Sequence, residues 1–471
     1  MNIGIIHYHL KMGGVTTVIG QHVRATRDRN RFLIFSGEKP PEGGAPAPTA
    51  VVPEIAYDRP DGRFACPDPE ATAAAIISRL KKEWPDGCDV IHVHNPWIAK
   101  NRRFLEIIRA LAARGQRLLL QIHDFAEDGR PGTCYRGEEY PGNCHLAVIN
   151  TRDREILIAA GASPEGVHYV GNAVTPLPEP EQETAAEPVM FYPVRAIRRK
   201  NIGEALLLSL FFENRTTLAI SLAPGGPADI AARDGWKSFC GDNPVRVVFE
   251  ASSRRPFSQW VAACRGMIST SVNEGFGYAF LDPWTARKPL FGRKIPDLHA
   301  EAEAAGLRLD HLYPRLSVPA EWLDTGRLRK KISQAVTAGT RAFGLPGAAD
   351  AEAFAALADQ PDIDFGLLDE SFQKPVIHRI LTRPADRRRL VEENPFLSAM
   401  ESAVTGDTVL HNNRLIREKF NERTCGERLM TAYRQVAETK IFHHISRERL
   451  LSRFLHPGRF SLLQWGSYDN A

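Results

Sequence analysis

No stretch of this chain is apolar for long enough to cross a bilayer. The best run, Ala205 to Phe212, is eight residues with Ser209 inside it, against roughly 20 for a spanning helix. Neither sign of charge is in excess: 60 Lys and Arg face 56 Asp and Glu, a formal charge of +4. That balance gives no reason to expect nucleic acid as a partner, and nothing indicates contact with a membrane surface. Cysteines are scarce, odd in number at seven and widely scattered. The opening Met1-Asn2-Ile3-Gly4-Ile5-Ile6 lacks the basic and long apolar regions of a signal peptide and reads as a first strand. A reduced, cytoplasmic protein is the simplest expectation. No Gly-x-Gly-x-x-Gly or Walker pattern follows a first strand, which weighs against a dehydrogenase or an NTPase. No internal repeat is visible.

What is present fits a folded protein of two or three domains: 471 residues, 43% apolar and 25% charged. The first half alternates short apolar runs with helical stretches. Strands are expected at Ile3–Ile6, Arg31–Phe35, Asp89–His94, Arg117–His123, Cys144–Asn150 and Gly166–Val170. Between two of them, Phe104, Ile107, Ile108 and Leu111 recur at helical spacing. Such alternation implies a parallel sheet covered on both faces. The Pro- and Glu-rich stretch 175–188 cannot hold a helix or a central strand and reads as a linker. A second alternating series follows: strand Val189–Val194, helix Ile202–Phe212, strands Thr217–Leu222 and Val245–Phe249, helix Phe257–Cys264 and strand Gly266–Thr270. The expected layout is a first Rossmann-like domain over 1–180 and a second over 187–420. A helical insertion falls at about 300–412, the least readable segment, and further helices and a tail occupy 421–471. Ligands of doubly wound sheets sit at the carboxyl ends of the strands, here expected in a cleft between the domains.

Two motifs carry chemistry. Ser269 to Pro283 follows an expected strand and opens an expected helix. Gly275 and Gly277 flank Phe276 and let backbone approach a ligand closely. The N–H groups of Gly277, Tyr278 and Ala279 at the helix start can hold an anion. Glu274 enters just before that helix, and Asp282 lies about two turns further on. Taken alone, the stretch also fits a plain strand-to-helix turn with a solvated acid. The second motif, Pro193 to Asn201, follows the first strand of the second domain. Arg195 and Lys200 can converge on one diphosphate, Arg by bidentate contacts and Lys as a point charge. In isolation it also fits a basic loop facing solvent.

Together the two motifs resemble the retaining glycosyltransferases of family 4, which have the GT-B fold. The family's pattern of an Arg, four residues, then a Lys followed by Gly or Asn matches Arg195 to Lys200-Asn201. Its Glu-Gly-Phe-Gly motif is intact at Glu274–Gly277, although the second acid of the pattern, Glu in the family, is Asp282 here. Ala286-Arg287-Lys288-Pro289-Leu290 is a looser version of the family's next turn. Its Gly-Gly loop matches Met12-Gly13-Gly14-Val15, its strand-ending His matches His123, and its Asn-x-Val stretch matches Asn172-Ala173-Val174. Gly426 to Tyr433 is similar to its last long helix. The resemblance covers about residues 1–298 and 415–438.

The resemblance implies an α/β fold of two doubly wound Rossmann-like domains facing a central cleft, with extra C-terminal helices. It implies hexosyl transfer, with retention, from a nucleotide-diphosphate sugar to a hydroxyl. UDP-glucose is the default donor, from family frequency alone. The acceptor stays open among a polyol, a sugar, a sugar phosphate and a lipid-linked sugar. Arg195 and Lys200 would neutralise the leaving diphosphate, Glu274 would hold sugar hydroxyls, and Asp282 the ribose. Gly275, Phe276, Gly277 and Tyr278 would line the donor site. Gly13 and Gly14 would present N–H groups to diphosphate or acceptor, and His123 would contact the donor sugar. No metal or other cofactor is expected. A non-catalytic binding protein of the same architecture, or another GT-B enzyme such as a nucleotide-sugar epimerase, remain the alternatives. His7-Tyr8-His9 and His92-Val93-His94 each put two imidazoles on one strand face, but no acid or Cys set accompanies them. Cys134 and Cys144-His145 are spaced too loosely for a structural zinc site. His443-His444 is expected to lie in a tail packed on the body.

Overall fold

The computed structural model describes residues 1–177 and 187–468. The greater part of the expected linker, 178–186, lies outside the described residues. The chain divides into two compact units. The first takes in Met1–Ala173, Thr340–Ala348 and Phe420–Leu455, and the second holds the rest of the described chain.

The first unit is built on seven parallel strands: β1 (Asn2–His7), β2 (Arg31–Ser36), β3 (Thr49–Val51), β4 (Val90–His94), β5 (Leu118–Ile122), β6 (His145–Val148) and β7 (Val167–Tyr169). Their order is β3-β2-β1-β4-β5-β6-β7. The strands are largely apolar because both sheet faces are covered. Successive side chains of β1 point to opposite faces. Ile3 and Ile5 pack with Val23, Leu429 and Tyr433 on one side. Ile6 packs with Leu33, Val93 and Leu105 on the other. Helices Gly14–Thr26 and Glu422–Glu438 supply the first of these layers. They approach closely at Gly426, where a Cβ would sit 2.8 Å from the Ala25 carbonyl oxygen. Of the expected tail pair, His443 is buried, its N–H donating to the Gly142 carbonyl at 3.0 Å, while His444 is exposed.

The second unit holds five parallel strands, β8 (Glu187–Arg195), β9 (Thr217–Leu222), β10 (Val247–Val248), β11 (Cys264–Ser269) and β12 (Leu290–Gly292), in the order β10-β9-β8-β11-β12. Phe191, Met267 and Trp260 are buried in one core cluster. Both sheets are doubly wound, and strand order reverses between β1 and β4 and between β8 and β11. Segment 300–412 holds the helices Glu370–Thr382 and Pro384–Glu393, the second opened by Pro384. It also holds an antiparallel pair, β13 (Ser317–Pro319) and β14 (Asp362–Asp364), which the sequence did not announce.

Candidate active site

In the second unit the loops that follow β8 and β11 leave neighbouring strands at the reversal of strand order, where such sheets bind ligands. The two loops are stitched together. The Tyr192 hydroxyl donates to the Lys200 carbonyl at 2.7 Å and accepts from the Thr270 N–H at 3.1 Å. The Thr270 hydroxyl reaches the Lys200 and Asn201 carbonyls at 3.0 and 2.9 Å. Asn201 takes the left-handed conformation, φ 51°, which Asn tolerates better than most residues. Its amide donates to Glu204 and accepts from Gln373.

This stitching aims two cations at Glu274. Lys200 forms an ion pair with Glu274 Oε1, and Arg199 Nη1 lies 3.1 Å from Oε2. Arg199 also donates to the Asn273 carbonyl at 2.8 Å. Burial would push the Glu274 carboxyl up, but Lys200 and Arg199 outweigh it and hold the group at about 2. Burial lowers the Lys200 ammonium, with Glu274 opposing that shift. Arg195 ends β8 exposed and has no carboxylate partner among the described residues. Of the two residues expected at a diphosphate, Lys200 meets Glu274 and Arg195 does not. Arg199, which the sequence did not single out, stands beside Lys200 instead. Arg198 has a different duty, bonding Glu370 through two nitrogens at 2.9 Å each and so anchoring the loop.

Gly277 has φ +83°, and a Cβ there would lie 3.0 Å from Leu298. It is the turn that opens helix Tyr278–Thr285. Phe276 and Tyr278 meet edge to face at 4.9 Å. Asp282 sits on that helix, and burial without an opposing cation pushes its carboxyl up to about 7.

In the first unit, β1 and β4 end in His7 and His94, again at the reversal, and His123 follows β5. The Asn95 side chain, missed in the sequence, accepts from the His123 and Asp124 N–H groups at 3.3 and 3.1 Å. It thereby holds that loop against β4. A cavity of about 390 Å³ opens here, lined by His7, Gly13, Gly14, Lys100, Asp124 and Arg130 among others. A Cβ on Gly14 would meet nothing within 4 Å. Asp124 and Arg130 pair at 2.5 Å.

The His-x-His pattern on β4 is fully buried. His92 bonds the Tyr433 hydroxyl and Gln121 Oε1, both at 2.9 Å, so both its nitrogens are engaged. His22, His92 and His94 lie close enough to share a metal ion, but doing so would take one of those bonds from His92. All seven cysteines are unpaired. Among the described residues, no helix is long and apolar enough to cross a membrane.

No protein-family model matches the chain. Over 337 residues it is 24% identical to mannosylglucosyl-3-phosphoglycerate synthase of Petrotoga mobilis, a match that takes in 62% of this chain and 65% of that relative's length. Its fold is similar to that of Anabaena HepE in complex with UDP and glucose, with a TM-score of 0.52 at 14% identity over 92% of this chain and 98% of that one. The same holds for sucrose-phosphate synthase from Thermosynechococcus elongatus, with a TM-score of 0.50 at 14% identity over 92% and 98%. A glycosyltransferase from Rickettsia africae gives a TM-score of 0.51 at 10% identity over 93% and 99%. The two parallel-sheet units thus have the GT-B architecture.

Proposed function

We propose that this chain is a retaining family 4 glycosyltransferase that moves a hexose from a nucleotide-diphosphate sugar to a hydroxyl acceptor without a metal. One observation carries the reading: Lys200, Arg199 and Glu274 converge at the carboxyl ends of β8 and β11. Neighbours solved with UDP and glucose or with UDP-glucose support the donor class, and UDP-glucose is the first donor to test. The name of the Petrotoga relative places a phosphoglycerate in its product. A sugar phosphate or related anion is accordingly the first acceptor to test, ahead of a neutral sugar, a polyol or a lipid-linked sugar. Lys100 on the first unit's cavity is a cation suited to it. The seven unpaired cysteines suit a reducing, cytoplasmic setting.

In this reading a donor diphosphate takes Lys200 from Glu274, and Arg195 adds a cation with no carboxylate partner among the described residues to give up. The freed Glu274 carboxylate turns to hydroxyls of the transferred sugar. Asp282 holds the ribose, and the N–H groups from Gly277 to Ala279 face the phosphate. Gly275 and Phe276 shape the loop between these groups and Glu274. Gly13 and Gly14 serve the diphosphate or acceptor from the first unit, and His123 the sugar. Stabilising the leaving anion with preorganised cations is the largest catalytic contribution. The test is release of sugar from UDP-, GDP- and ADP-sugars with and without acceptors, in EDTA, with the anomer of the product determined. Transfer with retention in EDTA is expected. Loss of activity on chelation, restored by magnesium, would overturn metal independence. Binding without any turnover would favour the non-catalytic reading, and release of an epimerised sugar the epimerase.

A further inference from the structure

The first unit's histidines are coupled in a way that fixes what each can recognise. His94 is the hub. Its backbone carbonyl lies 3.2 Å from His7 Nδ1, and its ring Nδ1 lies 3.0 Å from His123 Nε2. All three are buried. Burial lowers His7 to about 3, His123 to about 4 and His94 well below its ordinary value. Each is therefore neutral near pH 7, with one N–H and one lone pair.

A carbonyl can only accept. The His7 proton is thus on Nδ1, and its Nε2 carries the lone pair. In the His94–His123 contact one nitrogen must donate. Were it His123, the His94 proton would sit on Nε2, which is buried with no hydrogen-bond partner among the described residues. Orphaned N–H groups in protein interiors are rarer than under-satisfied acceptors. His94 Nδ1–H therefore donates to His123 Nε2, and the His123 proton is left on Nδ1.

We infer that His94 is a positioning residue that gives its two neighbours opposite hydrogen-bond polarity, His7 an acceptor at Nε2 and His123 a donor at Nδ1. His7 lines the cavity of the first unit. A neutral lone pair there welcomes a ligand hydroxyl and repels a carboxylate or phosphate oxygen. His123 offers an N–H and cannot act as a base. The consequences for substrate rest on the transferase reading, but the tautomers do not.

The test is nitrogen-15 NMR of histidine-labelled, ligand-free protein, with signals assigned through His7→Gln and His123→Asn. Wild type should show Nδ1–H at both His7 and His123. His94→Leu keeps the backbone carbonyl and removes the ring. His7 should be unchanged, while His123 should become a mixture containing Nε2–H. His94→Asn, whose amide can donate from near the Nδ1 position, should restore the His123 pattern. Turnover should fall at least tenfold in the Leu variant and recover in the Asn variant. An Nε2–H proton on His123 in wild type would overturn the inference, as would a His123 spectrum indifferent to His94→Leu. Should the Leu variant not fold, the wild-type spectrum still decides. A wild-type protein with these tautomers but no transfer activity would sink the transferase reading alone.

Discussion

Four basic residues in six positions do three different things: Arg199 and Lys200 meet Glu274, Arg198 anchors the loop on Glu370, and Arg195 stands exposed. Lys200→Ala should cut turnover about a hundredfold or more, the cost of losing one preorganised donor of about 3 kcal/mol to a developing anion. Arg195→Ala should cut turnover without moving the urea midpoint, since this exposed side chain has no carboxylate partner among the described residues. If Arg195→Ala keeps full activity, the diphosphate contact passes to Arg199. Glu274 is held below its unfolded value, so its contribution to stability is present above about pH 4.5 and lost as pH falls toward 2. Asp282 has the opposite sign. Its folded value of about 7 lies above the unfolded 3.8, so it binds a proton that the unfolded chain has lost. Its share of stability should fall as pH rises from about 4 to 7, by at most about 1.4 kcal/mol per pH unit. Asp282→Asn should flatten that slope in urea titrations across pH. If Asp282 holds the ribose, wild-type affinity for the nucleoside diphosphate should rise with pH through 7 relative to the variant, because the ionised carboxylate is the stronger acceptor. Parallel curves for the two proteins would make Asp282 structural.

At the scale of elements, the three-residue strands β13 and β14 are too short to stand by themselves. Arg293, directly after β12, bonds Glu204 at 2.8 and 2.7 Å and Asp364 of β14 at 2.9 and 2.8 Å. Tyr313 donates to the same Glu204 at 2.6 Å. Glu204 is wholly buried. Arg293→Met should cost about 3–5 kcal/mol by leaving that carboxylate without its cation, read as a lower urea midpoint at unchanged slope. A loss under 1 kcal/mol would mean that β14 is held by something else. This cluster also marks where the sequence stopped being legible. Most strands of both sheets announce themselves locally, since a run such as Leu118–Leu120 is apolar whatever surrounds it, but the three-residue β3 and β12 were not foreseen. The loops carrying Glu274 and Lys200 were legible because each directly follows such a strand. Arg199 was not, because its aim depends on the turn at Arg198–Lys200 and the left-handed Asn201. Segment 300–412 was unreadable because its order comes from charges such as Glu204 and Asp364, 160 residues apart. The β4 histidines show the same limit: their spacing was visible, but the partner hydroxyl of Tyr433 lies 341 positions away.

At the scale of the whole molecule, the chain leaves the first unit after Ala173, returns to it briefly for Thr340–Ala348 and again for Phe420–Leu455. The expected trailing segment 421–471 is thus shared between the units. Helix Glu422–Glu438 brings Leu429, Met430 and Tyr433 onto the face of the sheet that carries Ile3 and Ile5. A chain ending at Lys419 should leave that face to helix Gly14–Thr26 alone, bind a hydrophobic dye and unfold at lower urea than the full chain. Addition of a peptide spanning 420–471 should reverse both effects. An undiminished urea midpoint in the shortened chain would show that the helix is dispensable. The returning helix also bears on the timing of synthesis. A ribosome finishes the first unit's seven strands early, yet must add about 250 more residues before the covering helix emerges. At 5–20 residues per second, that wait is on the order of 10–50 s. The newborn sheet spends it with one oily face only half clad, sheltered by helix Gly14–Thr26 alone.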